Sequence, residues 1–195
     1  MKLKIYKILF TILLIAVIIV VGLIAIKYGR NYINDKENKK TAETFSRVVT
    51  EGSQENITMN GYKVIGVVKI PKIQIEYPIL DIDTYNPEET KEPMKISIVK
   101  YWGGKVNEYG NLSIAGHNNY DGTMFGKTKN LEIGDIVELT DLENDTIQYQ
   151  IYDKFVTDPN DVTILATNDE TIREVTLITC TNGNKNRLIL KAKEI

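Results

Sequence analysis

Cysteine and histidine are nearly absent from this chain of 195 residues, with Cys180 and His117 the single examples of each. One cysteine excludes an intrachain disulfide, and one histidine without a second cysteine excludes a protein-built zinc site. Neither GxxxxGK[ST] nor GxGxxG occurs, so the sequence has no glycine-rich phosphate cradle. Charge of one sign is also lacking. Lys and Arg total 24 against 26 Asp and Glu, for a net charge of -2 and a pI near 5.6. With no arginine-rich or aromatic-interleaved basic tract, a nucleic-acid partner is not expected. Apolar residues are plentiful, and 43% hydrophobic with 26% charged positions fits one globular domain with appendages.

From residue 8 to residue 26 the chain is Ile, Leu, Val, Ala and Phe, interrupted only by Thr11 and Gly22. About 19 residues make roughly 28 Å of helix, enough to span a bilayer. Lys2, Lys4 and Lys7 resemble the basic start of a signal peptide, but the apolar run is too long for one. It leads into Lys27, Tyr28, Gly29 and Arg30 without a small-residue cleavage site. The segment therefore reads as an uncleaved anchor over residues 1–30. Basic residues flank both ends, with Lys27, Arg30, Lys36, Lys39 and Lys40 on the far side, so charge counting does not orient it. An inside amino end rests on the short basic start and on the chemistry considered below.

Residues 31–60 are rich in Lys, Asn, Glu, Thr and Ser and read as a solvated stalk, with helix formers over 41–49 but no sustained apolar stripe. From 61 to 195 the pattern becomes short apolar, β-branched runs separated by Gly, Pro, Asn and Asp. The runs cover 62–70, 75–80, 96–100, 111–115, 136–140, 146–155, 175–180 and 188–192. This predicts an all-β barrel or sandwich of antiparallel strands. Short helices or turns are predicted over 88–95 and 125–131. Pro71 precedes the second run and Pro78 lies within it, which predicts an edge strand or one that starts beyond the proline.

Cys180 closes the strand run Glu174-Val175-Thr176-Leu177-Ile178-Thr179, and turn formers separate it from Arg187-Leu188-Ile189-Leu190. A hairpin there makes thiol and guanidinium neighbours, with Arg187 on the face opposite Leu188, Leu190 and Ala192. His117 ends another strand run, after Gly116, which would allow a sharp turn. A thiolate attacks carbonyls, a nearby cation lowers a thiol pKa, and a histidine protonates a leaving amine, so Cys, His and Arg suffice for acyl transfer. Taken singly, each has an ordinary reading as core filler, hydrogen-bonded residue or solvated charge. Their joint placement at strand ends behind a membrane anchor favours function.

Thr176-Leu177-Ile178-Thr179-Cys180 resembles the TLxTC motif of the sortase family, with Arg187 after it and Gly116-His117 upstream. Ile65-Gly66-Val67-Val68-Lys69-Ile70-Pro71-Lys72-Ile73 resembles the family's IGxIxIPKI opening, and His117, Phe125, Leu131 and Gly134-Asp135 its H…F…L…GD stretch. The resemblance implies a closed eight-stranded barrel and a transpeptidase acting on LPxTG-like C-terminal signals of exported proteins. It implies Cys180 as nucleophile, His117 as acid and then base, Arg187 as substrate and oxyanion holder, and Thr179 as a positioning or oxyanion-supporting residue. The implied acceptor is a peptidoglycan precursor amine of the lipid II type, and the implied location is the cell membrane, with the catalytic domain outside.

The sequence departs from many relatives in having Asn182 where a proline stands two residues after the cysteine. Neither a lid segment nor a second span is evident, so an anchoring enzyme is expected rather than a pilus-building one. No cofactor is expected. Glu108, Glu132, Asp135 and Asp169 are conceivable calcium ligands as in some relatives, but read as solvated carboxylates. An L,D-transpeptidase would carry its His and Cys in an HGC run, and papain-like or amidase domains start a helix at the Cys. The remaining alternative is a membrane-tethered β-domain that only binds a ligand or partner.

Overall fold

A computed structural model describes residues 2–51, 57–82, 88–167 and 169–195. The chain divides into two compact units, the first ending at Asn34 and the second spanning Asp35–Ile195. Helix α1 runs over Lys2–Thr50 and contributes to both. From Ile5 onward in the first unit its Ile, Leu, Val and Phe side chains are exposed all round. Among the described residues this is the one helix long and apolar enough to cross a membrane, by length and composition.

The second unit begins with the remainder of α1, and here the expectation of a solvated stalk over 31–60 is corrected. Asn38, Ala42, Phe45, Val48 and Val49 are buried, and Asn38 donates its side-chain amide to the Ile96 carbonyl at 2.8 Å. Positions 38, 42, 45 and 49 follow helical spacing, yet one is an amide and one an alanine, so the stripe is too weak to read as apolar in the sequence. Residues 52–56 of the expected stalk lie outside the described residues.

The remaining elements are strands β1 (Thr58–Met59), β2 (Tyr62–Ile70), β3 (Ile75–Leu80), β4 (Ile98–Trp102) and β5 (Gly110–Ala115). After them come β6 (Ile136–Thr140), β7 (Thr146–Thr157), β8 (Arg173–Thr181) and β9 (Asn186–Glu194). A four-residue helix, α2 (Lys91–Met94), precedes β4, and a 3-10 turn covers Thr128–Asn130. The sheet order is β1-β2-β3-β4-β5-β8-β9-β7-β6, and β2 also pairs with β6, so strands β2 to β9 close into an eight-stranded barrel. Closure removes the long exposed edges that short strands would otherwise present.

Two expectations change. The barrel is mixed, because β3–β4 and β5–β8 pair in parallel; both pairs are joined through crossovers long enough to return the chain in the same direction. Strand β3 lies inside the sheet and contains Pro78, opposite Val67 of β2. Its pairing with β4 begins only at Ile79↔Ile98, and the Pro78 carbonyl accepts the Ser97 hydroxyl at 2.6 Å. The missing N–H therefore falls where the β4 ladder has not yet started.

Alternation of side chains across the barrel wall divides the apolar residues into two clusters. Ile79, Ile114, Leu139, Val175, Leu177, Leu188 and Leu190 fill the interior. Val99, Ala115, Ile178 and Ile189 belong to a second cluster with Ala42, Phe45 and Val49 of α1 and Ile164 and Leu165 of the β7–β8 connection.

Candidate active site

Strand β8 lies between β5 and β9, so a residue on β8 has one neighbour from each. On the β9 side, Cys180 is the direct cross-strand partner of Arg187, at the pair next to the closing Thr181↔Asn186. Directly opposed residues have Cβ atoms about 5 Å apart. The turn between the strands places Asn182, Gly183 and Asn184 at φ 52°, 64° and 72°, a left-handed run that asparagine and glycine accept most readily. The guanidinium of Arg187 donates to the Asn184 and Asn186 carbonyls, both at 3.3 Å, which ties it to this turn.

On the β5 side the parallel ladder ends at Ala115↔Ile178, so Gly116, His117 and Asn118 leave the strand beside the end of β8 that carries Cys180; His117 itself does not line the groove that Cys180 and Arg187 border. Three hydrogen bonds hold the departing chain there. The Gly116 N–H donates to the Ile178 carbonyl at 3.1 Å, the Thr179 hydroxyl to the Gly116 carbonyl at 2.7 Å, and the Asn118 side-chain amide to the Cys180 carbonyl at 2.8 Å. The sequence motif does not reveal the Asn118 contact; only the parallel register brings that amide to β8.

The reason for glycine at 116 differs from the turn expected of it. A Cβ there would collide with Ile98 and come within 2.9 Å of the Phe125 ring, so close packing excludes a side chain. Thr179 is buried, its hydroxyl donates to the Gly116 carbonyl, and it fastens β8 to the chain that carries His117.

Cys180 and Arg187 line a groove of about 480 Å³ on the outer face of the barrel, together with Ala115, Gly116, Ile178 and Thr179. One wall comes from Glu88, Thr90, Lys91 and Met94 before β4, with Tyr101 on β4. The other comes from 159–162, Ile164 and Leu165 between β7 and β8. Composition and periodicity do not place these loop residues, because the β3–β4 and β7–β8 connections meet only through the closed barrel. Ala115 and Thr179 border the groove, while Ile189 is fully buried in the outer cluster.

His117 and Cys180 are both half-buried. Burial, and then the positive charge of Lys95, lower the His117 pKa, so the imidazole is held neutral at neutral pH. A neutral imidazole can accept a thiol proton; its conjugate acid can return one to a leaving amine. Arg187 supplies a fixed positive charge beside the thiol.

The four carboxylates considered as calcium ligands each have protein partners. Glu132 and Asp135 pair with Lys72 at 3.1 and 2.8 Å, Glu108 accepts the Lys105 N–H, and Asp169 accepts the Thr171 N–H and hydroxyl. Among the described residues, no group of three or more His, Cys, Asp or Glu is gathered to hold a metal ion.

Comparison with known proteins points in one direction. The model of the sortase domain matches residues 68–195. Sortase A of Bacillus anthracis is 29% identical over 135 residues, covering 67% of this chain and 59% of that protein. The chain thus spans 59% of the length of this relative. Sortase A of Staphylococcus aureus is 25% identical over 175 residues, covering 85% of this chain and 82% of that one. A Clostridium perfringens sortase D5 transpeptidase superposes with a TM-score of 0.61 at 28% identity, over 86% of this chain and 99% of that chain.

Proposed function

Because this chain belongs to the sortase family of cysteine transpeptidases, we propose that it cleaves an LPxTG-like sorting signal and transfers the exported protein to a peptidoglycan precursor amine. The observation that carries this reading is the three-strand arrangement, with Cys180 on β8 flanked by the end of β5 and the start of β9 at the mouth of a groove. In the proposed reaction, His117 takes the proton of Cys180, and the sulfur forms a bond to the Thr–Gly carbonyl carbon of the signal. Arg187 stabilises the oxyanion that develops. As the C–N bond breaks, His117 returns the proton to the leaving amine and a thioester remains. The acceptor amine attacks that thioester, gives its extra proton to His117, and releases the sulfur.

Apolar lining from Met94, Tyr101, Val162, Ile164 and Leu165 supports an extended apolar peptide as substrate, since such walls stabilise Leu and Pro side chains by burial. The long apolar helix supports a single-pass anchor, and a substrate that is an exported protein supports a catalytic unit on the outer side. Protease treatment of intact cells is expected to digest residues 35–195; protection of that region would refute the orientation.

The direct test uses the full-length chain in detergent with a fluorogenic LPxTG peptide and an amine acceptor. Cleavage and amine-dependent product are expected, with Cys180→Ala lowering turnover about 10³-fold or more while the fold is retained. Unchanged cleavage in Cys180→Ala, or none in the wild type with any LPxTG-type peptide, would favour a β-domain that only binds.

A further inference from the structure

The proposed reaction needs His117 held level with Cys180, yet β5 ends at Ala115, so the histidine stands at the start of a loop. That loop folds back through a bridge between Asn118 and Met124, and the Phe125 N–H donates to the His117 carbonyl at 3.0 Å. One further tie leaves the loop altogether. The Met124 N–H donates to the hydroxyl oxygen of Tyr77 on β3 at 3.0 Å, and the Tyr77 hydroxyl in turn donates to Oδ1 of Asp35. Asp35 lies on α1 within the same compact unit and also pairs with Lys39 at 3.0 Å through Oδ2.

Several features make this relay more than a packing contact. Tyr77 is 1% exposed, and its burial, together with the Asp35 carboxylate, keeps the phenol protonated, so it always has a proton to give and a lone pair to receive. Asp121, in the same loop as Met124, is the other anion acting on Tyr77. Met124 sits at φ 51°, a left-handed conformation that a long side chain adopts only when its surroundings hold it. Its amide is the atom that Tyr77 holds. The helix has a second attachment nearby, since Asn38 bonds the Ile96 carbonyl, adjacent to Lys95, the cation whose charge acts on His117.

We propose that Asp35 and Tyr77 are positioning residues for His117, so that the α1 segment from Asp35 onward is a working part of the catalytic unit rather than a spacer. This rests on the reading of His117 as the proton carrier. Loss of the relay lets the Met124 turn relax, lets the histidine loop swing away from β8, and exposes the imidazole to water.

The test uses the full-length chain in detergent and two readouts, peptide cleavage and titration of the imidazole by NMR. The second is unambiguous because the chain has 1 histidine. Tyr77→Phe and Asp35→Ala are each expected to lower kcat about five- to tenfold with KM within about twofold. Both are expected to move the His117 midpoint upward, toward that of a solvated imidazole. Asp35→Asn, which still offers an oxygen to Tyr77, is expected to stay within about twofold of wild type, and the Tyr77→Phe/Asp35→Ala double variant to be no worse than either single one.

Wild-type kcat and titration in Tyr77→Phe would overturn the proposal, as would a loss of thermal stability with both readouts unchanged per folded molecule. Should Tyr77→Phe fail to fold, the partly exposed Asp35→Ala decides by the same criteria. An active His117→Ala would instead defeat the proton-carrier reading, whereas the imidazole titration decides the positioning claim by itself.

Discussion

The two faces of the β8–β9 hairpin follow the same alternation and serve opposite ends. Val175, Leu177, Leu188, Leu190 and Ala192 point into the barrel and are almost wholly buried. On the other face, Ile178 and Ile189 join the outer cluster, and Cys180 and Arg187 come to the groove. Stability and chemistry thus share one register. The interior residues fix which positions pair, and that pairing sets Cys180 opposite Arg187. A slip of one residue would bury the thiol and expose the leucines, so the apolar interior acts as the specificity device for the site.

If the faces divide labour in this way, substitutions on them have separable effects. Leu177→Ala, on a fully packed interior position, is expected to cost about 3–5 kcal/mol in denaturant unfolding while leaving kcat per folded molecule near wild type. Selective loss of kcat there would break the division. Arg187→Ala is expected to lower kcat/KM about 10²- to 10³-fold, with an unfolding midpoint close to wild type, and Arg187→Lys to recover only part of it. A large stability loss in Arg187→Ala would mean that the guanidinium serves the turn more than the reaction.

Thr179→Val sharpens the boundary between the faces. The hydroxyl is interior but fastens the chain of His117, so about 1–2 kcal/mol of stability and several-fold in turnover should fall together. Loss of stability alone would make Thr179 a core residue only. The smallest effect concerns His117 and pH. Its folded pKa is lowered, so as pH falls below about 6.5 the unfolded chain takes up a proton that the folded one resists. This contribution to stability is fully present above that value and is lost as pH falls from it toward the lower folded pKa. His117→Gln should unfold with a flatter pH dependence between about pH 5 and 7; an identical slope would mean that the imidazole is not held neutral.

Strand content was legible from the sequence to within a few residues at most ends, because each barrel strand alternates apolar and polar positions or runs apolar between turn formers. Strands β2, β3 and β6 start and stop where the pattern does. The hairpin of Cys180 and Arg187 was legible as well, since its members are separated by a short turn and pair locally. Helix α1 beyond residue 30 was not. Phe45 is the lone large apolar residue on a stripe otherwise made of Asn38, Ala42 and Val49, and its burial depends on a cluster contributed by strands far along the chain. The walls of the groove were equally hidden, because they come from connections whose ends are brought together by closure.

Composition and local pattern alone therefore decided that this protein has a long apolar N-terminal helix, a β-rich domain and a thiol paired across a turn with an arginine. These are properties of neighbours in sequence, set by helix and strand periodicity. Tertiary structure alone decided that β5 runs parallel to β8, which brings the His117-Asn118 segment to the end of β8 and the Asn118 amide to the Cys180 carbonyl, and that Asp35 reaches the histidine loop through Tyr77. Those contacts join residues more than 40 positions apart, and no local preference specifies them. They follow from closing the barrel around one packed interior, which leaves β8 a single partner on each side.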